Sequence, residues 1–450
     1  MKFIDYIKSR KDLFKYIVLY VIFLLWGLIL CDPGGDELWN YGFCRSIFNG
    51  LIPYKDFNMI LTPLFPFLMS IGFHIFGSDL VHMHIISAMV FTFSTYFLFD
   101  MFKDKTWIIL FCFFFPIGVM LPNYNLLLFI FFVLIIYMEK KDMSSYLIGF
   151  IIGLMVLTKQ TIGVVMFIVS LLVSLFYKDK KDRIFKRIVG FIIPCFVFLI
   201  YLFCSKSLYP FLDQCLFGLF DFTSGNAEIH ISSLITLIIG FITTLYFIYK
   251  NPKDIVNYYC MGFYIIVLPL FDLYHTQIMM ATFMISVCNY IKKDLVINMK
   301  LVFFSLVGFL AFTVFYNKYD SIKGVDYPND LDSLEYKLFD RESISITNDV
   351  NNYLASNNSK KIIFLSSNAY YFKLINNKNI DHFDLINKGN MGYNGHNKLI
   401  NRINKNRDAY YLIDRYELLG QIDGEALSYV KDNARKIDSV NRFDVYYFDN

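Results

Sequence analysis

Charge is what this sequence has least of. Asp, Glu, Lys and Arg make up 18% of its 450 residues, against 56% hydrophobic residues, where an ordinary soluble domain carries about 25% charged residues. With a mean hydropathy of +0.47, the chain holds more apolar surface than a soluble fold of this length can hide. That excludes a soluble globular protein and makes a polytopic membrane protein the expectation. Glycine (23) and proline (11) are scarce beside 50 Phe and 33 Tyr, so few breakers interrupt the apolar runs. Cysteine is missing from the C-terminal region. The eight cysteines lie at 31, 44, 112, 195, 204, 215, 260 and 288, mostly inside or beside apolar runs, which gives neither a disulfide framework nor zinc-ligand spacing. No small-residue cleavage site follows the basic stretch "MKFIDYIKSRKDLFKY", so it reads as an uncleaved first span rather than a signal peptide. No strong internal repeat is visible, which removes the inverted duplication that would favour a transporter. A net charge of +4, spread as Lys and Arg over short loops, fits a membrane topology and gives no basis for a nucleic-acid partner.

What is present is a series of apolar runs. A spanning helix needs about 20 mostly apolar residues, and the candidates are 16–31, 61–77, 82–101, 106–121, 124–138, 144–158, 160–177, 188–204, 232–250, 256–271, 276–291 and 299–317. The positive-inside rule places the N-terminal Lys and Arg residues, Lys140–Lys141, "KDKKDRIFKR" at 178–187, Lys250 to Lys253 and Lys292–Lys293 in the cytoplasm. The outer side then receives the 32–60 loop, Pro122–Asn125, Lys159–Gln160, the 205–230 loop, Asp272–His275 and everything after 317. With Lys103 and Lys105 inside, the two runs between 61 and 101 must make one net crossing, so about eleven spans are expected. Residues 318–450 differ in kind: polar, with short apolar runs "KIIFLS" (361–366), "AYYLID" (409–414) and "FDVYYF" (443–448), and helical patterns such as Asn368–Asn376 between them. Strands alternating with helices predict a small α/β domain. The expected architecture is an α-helical polytopic membrane protein over 1–317, with a first outer loop at 32–60 and an extracytoplasmic α/β domain over 318–450.

The chemistry-bearing residues collect on the outer side. In "CDPGGDELWNYGFCRSIFNGLIPYKDF", the "PGG" ends the first helix, Asp36 and Glu37 follow, and "ELWNYGFCRSIFNG" predicts a short amphipathic helix along the membrane surface. Lys55 and Asp56 close the loop. The plain alternative is that these carboxylates are solvated loop residues. Lys159 interrupts "IIGLMVLTKQTIGVVMF"; an ionisable residue there is costly and marks a functional candidate, against a lysine that snorkels to the interface. His275, beside Asp272, and the "LPNYN" hairpin with Asn123 and Asn125 face the same side; for His275 a structural role is an equal reading, and for the two asparagines, weaker candidates, the plain reading is a cap on a hairpin. Arg45 is placed to pair with Asp36 or Glu37. Cations at headgroup level suit a phosphate, and a carboxylate suits removal of a proton from an attacking hydroxyl. Together they suit transfer of a group from a lipid phosphate to an acceptor on the outer surface.

The first span followed by "GDE", a surface helix, "GLIPYKDF", the proline-containing "TPLFPFL" and a closing "FG" resembles the GT-C glycosyltransferases. The likeness is to the bacterial branch related to protein O-mannosyltransferases and to the aminoarabinose transferase that modifies lipid A, and "GLMVLTKQTIG" resembles that family's Lys-bearing helix end. The resemblance spans most of 14–317. It implies a polyprenyl-phosphate sugar as donor and an extracytoplasmic acceptor, with Asp36 as catalytic base, Glu37 as its acidic neighbour and Asp56 shaping the site. Lys159 would be a donor-phosphate ligand; Lys55 and His275 join it by position and chemistry. In some members the loop carboxylates hold a divalent cation; here Asp36 and Asp56 would be the ligands, and two carboxylates do not make a site by themselves. The chain departs from the family in having "PNYN" where relatives often carry an acid, and in Lys55 preceding rather than following Asp56. Rival readings are a transporter or flippase for a lipid-linked solute, a glycan polymerase or ligase, and an inactive scaffold. The first explains the many spans but not the acidic loop or the outer tail.

Overall fold

The computed structural model describes residues 2–29, 36–102, 122–226, 230–268, 271, 273–290, 325–326, 339–357, 359–366, 381–383, 389–416 and 424–449; for 2–12, 26, 29, 36, 223–226, 273, 325–326 and 339–340 it describes the backbone alone. Asp32, Lys103, Lys105, the runs at 106–121 and 299–317, Asp272, Lys292–Lys293 and the Asn368–Asn376 pattern lie outside the described residues. The chain forms two compact units. One comprises Met1–Leu30, Met83–Phe198 and Glu228–Lys323; the other comprises Cys31–His82, Leu199–Ala227 and Gly324–Asn450.

The first unit is helical. Its elements are α1 (Lys2–Ile29), most of α4 (Leu80–Met101), α5 (Tyr124–Lys140), α6 (Ser145–Val156), α7 (Gln160–Ser174), most of α8 (Lys180–Cys204), α11 (Ile231–Lys250), α12 (Ile255–Phe263, continued as a 3-10 turn over Tyr264–Val267) and α13 (Leu273–Tyr290). Among the described residues, α4, α8 and α11 are long and apolar enough to cross a membrane. The expected count of about eleven is not confirmed. Helices such as α6 and α7, at 12 and 15 residues, reach about 18–23 Å at 1.5 Å per residue, short of a hydrocarbon core of about 30 Å. Length also separates the two runs between 61 and 101. The first forms α3 (Leu64–Phe76), only 13 residues, whereas α4 has 22, so α4 is the one with the reach to span.

A pair of small residues sets one helix crossing. A Cβ on Gly149 would meet the Arg187 carbonyl oxygen at 2.2 Å, and one on Gly153 would meet Pro194 Cγ at 2.4 Å. The two glycines, four apart on α6, let its backbone touch α8, the small-xxx-small solution to packing apolar helices. At the far end of α5 a buried ion pair closes the bundle. Arg187 Nη2 lies 2.6 Å from Glu139 Oε1, both side chains fully buried, and the hydroxyls of Tyr259 (2.5 Å) and Tyr177 (3.1 Å) donate to the same carboxylate. Arg187 also donates to the Ser170 carbonyl. The sequence counted Arg187 among the charges of a cytoplasmic loop; it is instead the eighth residue of α8, inside the unit.

The second unit contains α2 (Asp36–Phe48), α3, a segment in which α9 (Leu208–Phe211) widens to a π-helix over Leu212–Phe217 and continues as α10 (Gly218–Asn226), and the C-terminal α/β region. That region has a short pair, β1 (Val325–Asp326) with β2 (Phe339–Asp340), then α14 (Arg341–Ser356), β3 (Ile362–Leu365), α15 (Gly395–Lys405), β4 (Tyr410–Asp414), α16 (Gly424–Asn433), β5 (Arg435–Val440) and β6 (Phe443–Tyr447). The sheet order is β3-β4-β6-β5, with β3 parallel to β4 and the remaining pairs antiparallel. Alternation divides the core by face. Ile363, Leu365, Tyr411 and Ile413 pack with Leu399, Ile403 and Val430 from α15 and α16. Ile362, Phe364, Leu412 and Val445 pack with Val350 and Leu354 from α14. Three strands stand where the apolar runs predicted them. The fourth, β5, is a polar edge strand, exposed from Arg435 to Ser439, and so carries no apolar signal.

Candidate functional site

In the first unit, three helices begin at one place. α5 starts at Tyr124, behind an Asn123 cap whose side chain accepts the Asn125 amide at 2.8 Å. α7 starts directly after Lys159, in extended conformation at the N-cap position, and α13 starts at Leu273. Their first residues are tied together by side chains. Asn123 Nδ2 donates to the Tyr274 hydroxyl, Asn125 Nδ2 reaches the same oxygen at 3.4 Å, and Lys159 Nζ lies 5.4 Å from the centre of the Tyr124 ring. His275 is buried, 3% exposed, its ring edge-on to Tyr274 at 5.4 Å. Lys159 is half-buried. Backbone N–H groups at helix starts carry partial positive charge, so three such starts around an ammonium make an end of the unit suited to an anion. The sequence singled out Lys159, Asn123, Asn125 and His275 separately; the structure joins them through Tyr124 and Tyr274, which it did not single out.

The first-loop residues belong to the second unit. α2 is not an amphipathic surface helix. Leu38, Asn40, Tyr41 and Phe43 to Ser46 are buried, Glu37 is 1% exposed, and Arg45, 8% exposed, sits 5.8 Å from the Tyr41 ring centre. The cause is α3, against which α2 packs within the unit; its Phe73 meets Tyr41 and Phe48. Asp36 opens α2, and its backbone alone is described. Asp56 closes a tight turn. Its Oδ2 accepts the Ile52 amide at 2.8 Å, while its own amide donates to the Ile52 carbonyl at 2.9 Å. Tyr54, inside this turn, takes φ +69°, and Lys55 is exposed.

The turn is held by a residue the sequence reading passed over. Gln214, in the π-helical segment, donates to the Tyr54 carbonyl at 2.9 Å and accepts the Met59 amide at 2.8 Å. Its only trace in the sequence is one amide in "FLDQCLFGLF". Burial, with the neighbouring Cys215 adding to it, pushes the Tyr54 phenol well above its ordinary range; burial does the same to the Cys215 thiol. Burial thus favours the neutral form of both groups. Among the described residues no three His, Cys, Asp or Glu side chains converge as metal ligands, and one Asp56 oxygen is already taken by a backbone amide. Of the two carboxylates expected to hold a divalent cation, Asp56 is described with its side chain and Asp36 by its backbone alone.

No family model matches the chain, and no curated protein sequence matches it. Solved structures do. The chain is similar to ArnT from Cupriavidus metallidurans, in the apo state with a TM-score of 0.58 over 98% of both chains at 10% identity. It is similar to the same protein bound to undecaprenyl phosphate with a TM-score of 0.56 over 97% of this chain and 98% of that one, again at 10% identity. A more distant similarity, to the Archaeoglobus fulgidus oligosaccharyltransferase in complex with zinc and sulfate, has a TM-score of 0.45 over 89% of this chain and 67% of that one at 13% identity. ArnT has the GT-C fold. The GT-C fold that the loop motif resembles is the fold of this chain.

Proposed function

We propose that this protein is a membrane glycosyltransferase that moves a sugar from a polyprenyl-phosphate donor to an extracytoplasmic acceptor: an envelope glycan, a glycolipid or a protein. The observation that carries the reading is the match of fold along nearly the whole of both chains to a protein crystallised with undecaprenyl phosphate. The anion-suited end of the first unit, with Lys159 at its centre, supports it from this chain's own residues.

In this reading the apolar helices hold the polyprenyl chain. Lys159, with Lys55 and His275, binds the donor phosphate and stabilises it as leaving group. Asp36, with Glu37 as its acidic neighbour and Asp56 shaping the loop, accepts the proton of the acceptor hydroxyl. The acceptor oxygen forms its bond to the anomeric carbon as the bond from that carbon to the phosphate oxygen breaks, which inverts the carbon and leaves polyprenyl phosphate. The protein lies in the bacterial plasma membrane as a multi-pass chain, with its N-terminus in the cytoplasm. Residues 1–317 form the transmembrane catalytic part, and 318–450 an outer domain that binds acceptor or covers the site.

The test is release of polyprenyl phosphate from a panel of polyprenyl-phosphate sugars by purified protein in lipid, with crude envelope as acceptor, beside Asp36→Asn. Turnover that falls by about 1,000-fold or more in the variant is the expected result. Donor binding without turnover by either protein would overturn the reading in favour of a transporter or scaffold. Equal turnover by both would move the base to another carboxylate.

A further inference from the structure

A cavity of about 890 Å³ lies within the second unit, beside the 54–59 turn that carries Lys55 and Asp56. Its size is that of a ligand pocket rather than a packing defect. One wall is a single face of α15: Lys398, Asn401, Arg402 and Lys405 line it, spaced as neighbours along one side of a helix. The rest of the lining is mostly aromatic and apolar, with Tyr209, Phe217 and Phe383 among its members, and Tyr209 is 83% exposed.

The walls are fixed in place. Gln214, which also lines the cavity, is bonded on both sides of the 54–59 turn. Asp213 pairs with Lys398, and Asp221 Oδ2 accepts the Asn394 amide at 3.1 Å. A Cβ at Gly389 would meet the Phe222 amide nitrogen at 2.3 Å, so this approach of the C-terminal region to α10 admits only glycine, whose φ there is +88°. Leu212, Asp213, Gln214 and Phe217 come from the π-helical turns, a local irregularity that often accompanies functional sites.

The charges on the polar wall are unevenly matched. Lys398 is neutralised by Asp213. Arg402 is held by Asp381 through Nε (2.7 Å) and Nη2 and stacks 3.8 Å from the Phe383 ring centre, which leaves its Nη1 without a partner among the described residues. Lys405, exposed, has no hydrogen bond or ion pair among them. An oriented guanidinium edge and an unpaired ammonium favour an oxyanion, while the amide and the broad aromatic faces suit the hydroxyls and the apolar faces of sugar rings.

We propose that this cavity binds an anionic segment of the acceptor glycan, one that carries phosphate or carboxylate on its sugars. The proposal rests on the glycosyltransferase reading and names its acceptor class. The test is calorimetric titration of the full chain in lipid nanodiscs, without donor, with phosphorylated maltohexaose, plain maltohexaose and inorganic phosphate. The phosphorylated glycan binds about tenfold tighter than either control, a difference of ~1.4 kcal/mol. Lys405→Glu removes that preference, and Tyr209→Ala weakens both glycans. Both substituted side chains are exposed, and an unchanged unfolding midpoint confirms the fold. Equal binding of the three probes, or affinities unmoved by both substitutions, overturns the site. Because no donor is present, the two readings fail separately. Glycan binding by a chain that turns over no donor leaves the site and removes the transferase. Asp36-dependent turnover without glycan binding does the reverse.

Discussion

The two ends of α5 solve the same problem in opposite ways. Tyr124 and Glu139 are fifteen residues apart on one helix, about 22 Å. At the Glu139 end a carboxylate meets a guanidinium and two tyrosine hydroxyls, and both charged side chains are fully buried. At the Tyr124 end the neutral groups Asn123, Asn125 and Tyr274 bond to one another, and the Lys159 ammonium, half-buried, lies 5.4 Å from the centre of the Tyr124 ring. The pair is sealed from solvent and out of a ligand's reach. The Lys159 ammonium, at the start of α7 and beside the start of α5, is partly exposed. The first arrangement is structural, the second is where an anion belongs.

The largest expected effect breaks the closed end. Arg187→Met leaves Glu139 buried without its counter-charge, at a cost of about 3–5 kcal/mol, read as a large drop in the thermal unfolding midpoint in detergent. The double variant Arg187→Met, Glu139→Gln keeps an acceptor for Tyr259 and Tyr177 and recovers most of that loss. Turnover per folded molecule stays at the wild-type level in the double variant. If turnover vanished while stability returned, the assignment of this end as structural would be wrong.

Next in size is the open end. Lys159→Ala lowers kcat/KM for the polyprenyl-phosphate donor by about 100-fold, or ~2.7 kcal/mol. Its unfolding midpoint moves little, because the side chain is only half-buried. Lys159→Arg restores part of the rate, since the charge returns with a different shape. A Lys159→Ala protein that unfolds readily but turns over normally would erase the distinction between the two ends.

The same contrast explains what could be read in advance. Lys159 stood out because a charge inside an apolar run is visible in one dimension. Glu139 and Arg187 did not, because each lies beside other charges, Lys140–Lys141 and the 178–187 stretch, and only the fold turns them inward. Tyr274 was hidden among 33 tyrosines. The GT-C fold was legible from the first-loop motif, and three strands of the C-terminal sheet from their apolar runs, since both are local patterns. The burial of α2 was not: its alternation of polar and apolar residues fits a surface helix equally well, and its packing on α3 is tertiary. Gln214 was missed for the same reason, since its two partners are about 160 residues away.

The smallest expected effect sharpens the open end rather than removing it. Asn123 does two jobs: it caps α5 through the Asn125 amide, and it donates to Tyr274 at the start of α13. Asn123→Ala loses the cap, worth about 1 kcal/mol, and removes its own bond to Tyr274, which retains the longer contact with Asn125. Asn123→Ser retains a capping oxygen but cannot reach as far. If the anion site depends on three helix starts being held together, both variants raise the donor KM severalfold while kcat stays near wild type, and the alanine variant alone loses stability. If only the Lys159 charge matters, the serine variant has the wild-type KM. The ratio of the two KM values therefore separates a site built from a converging backbone from one built on a single ammonium.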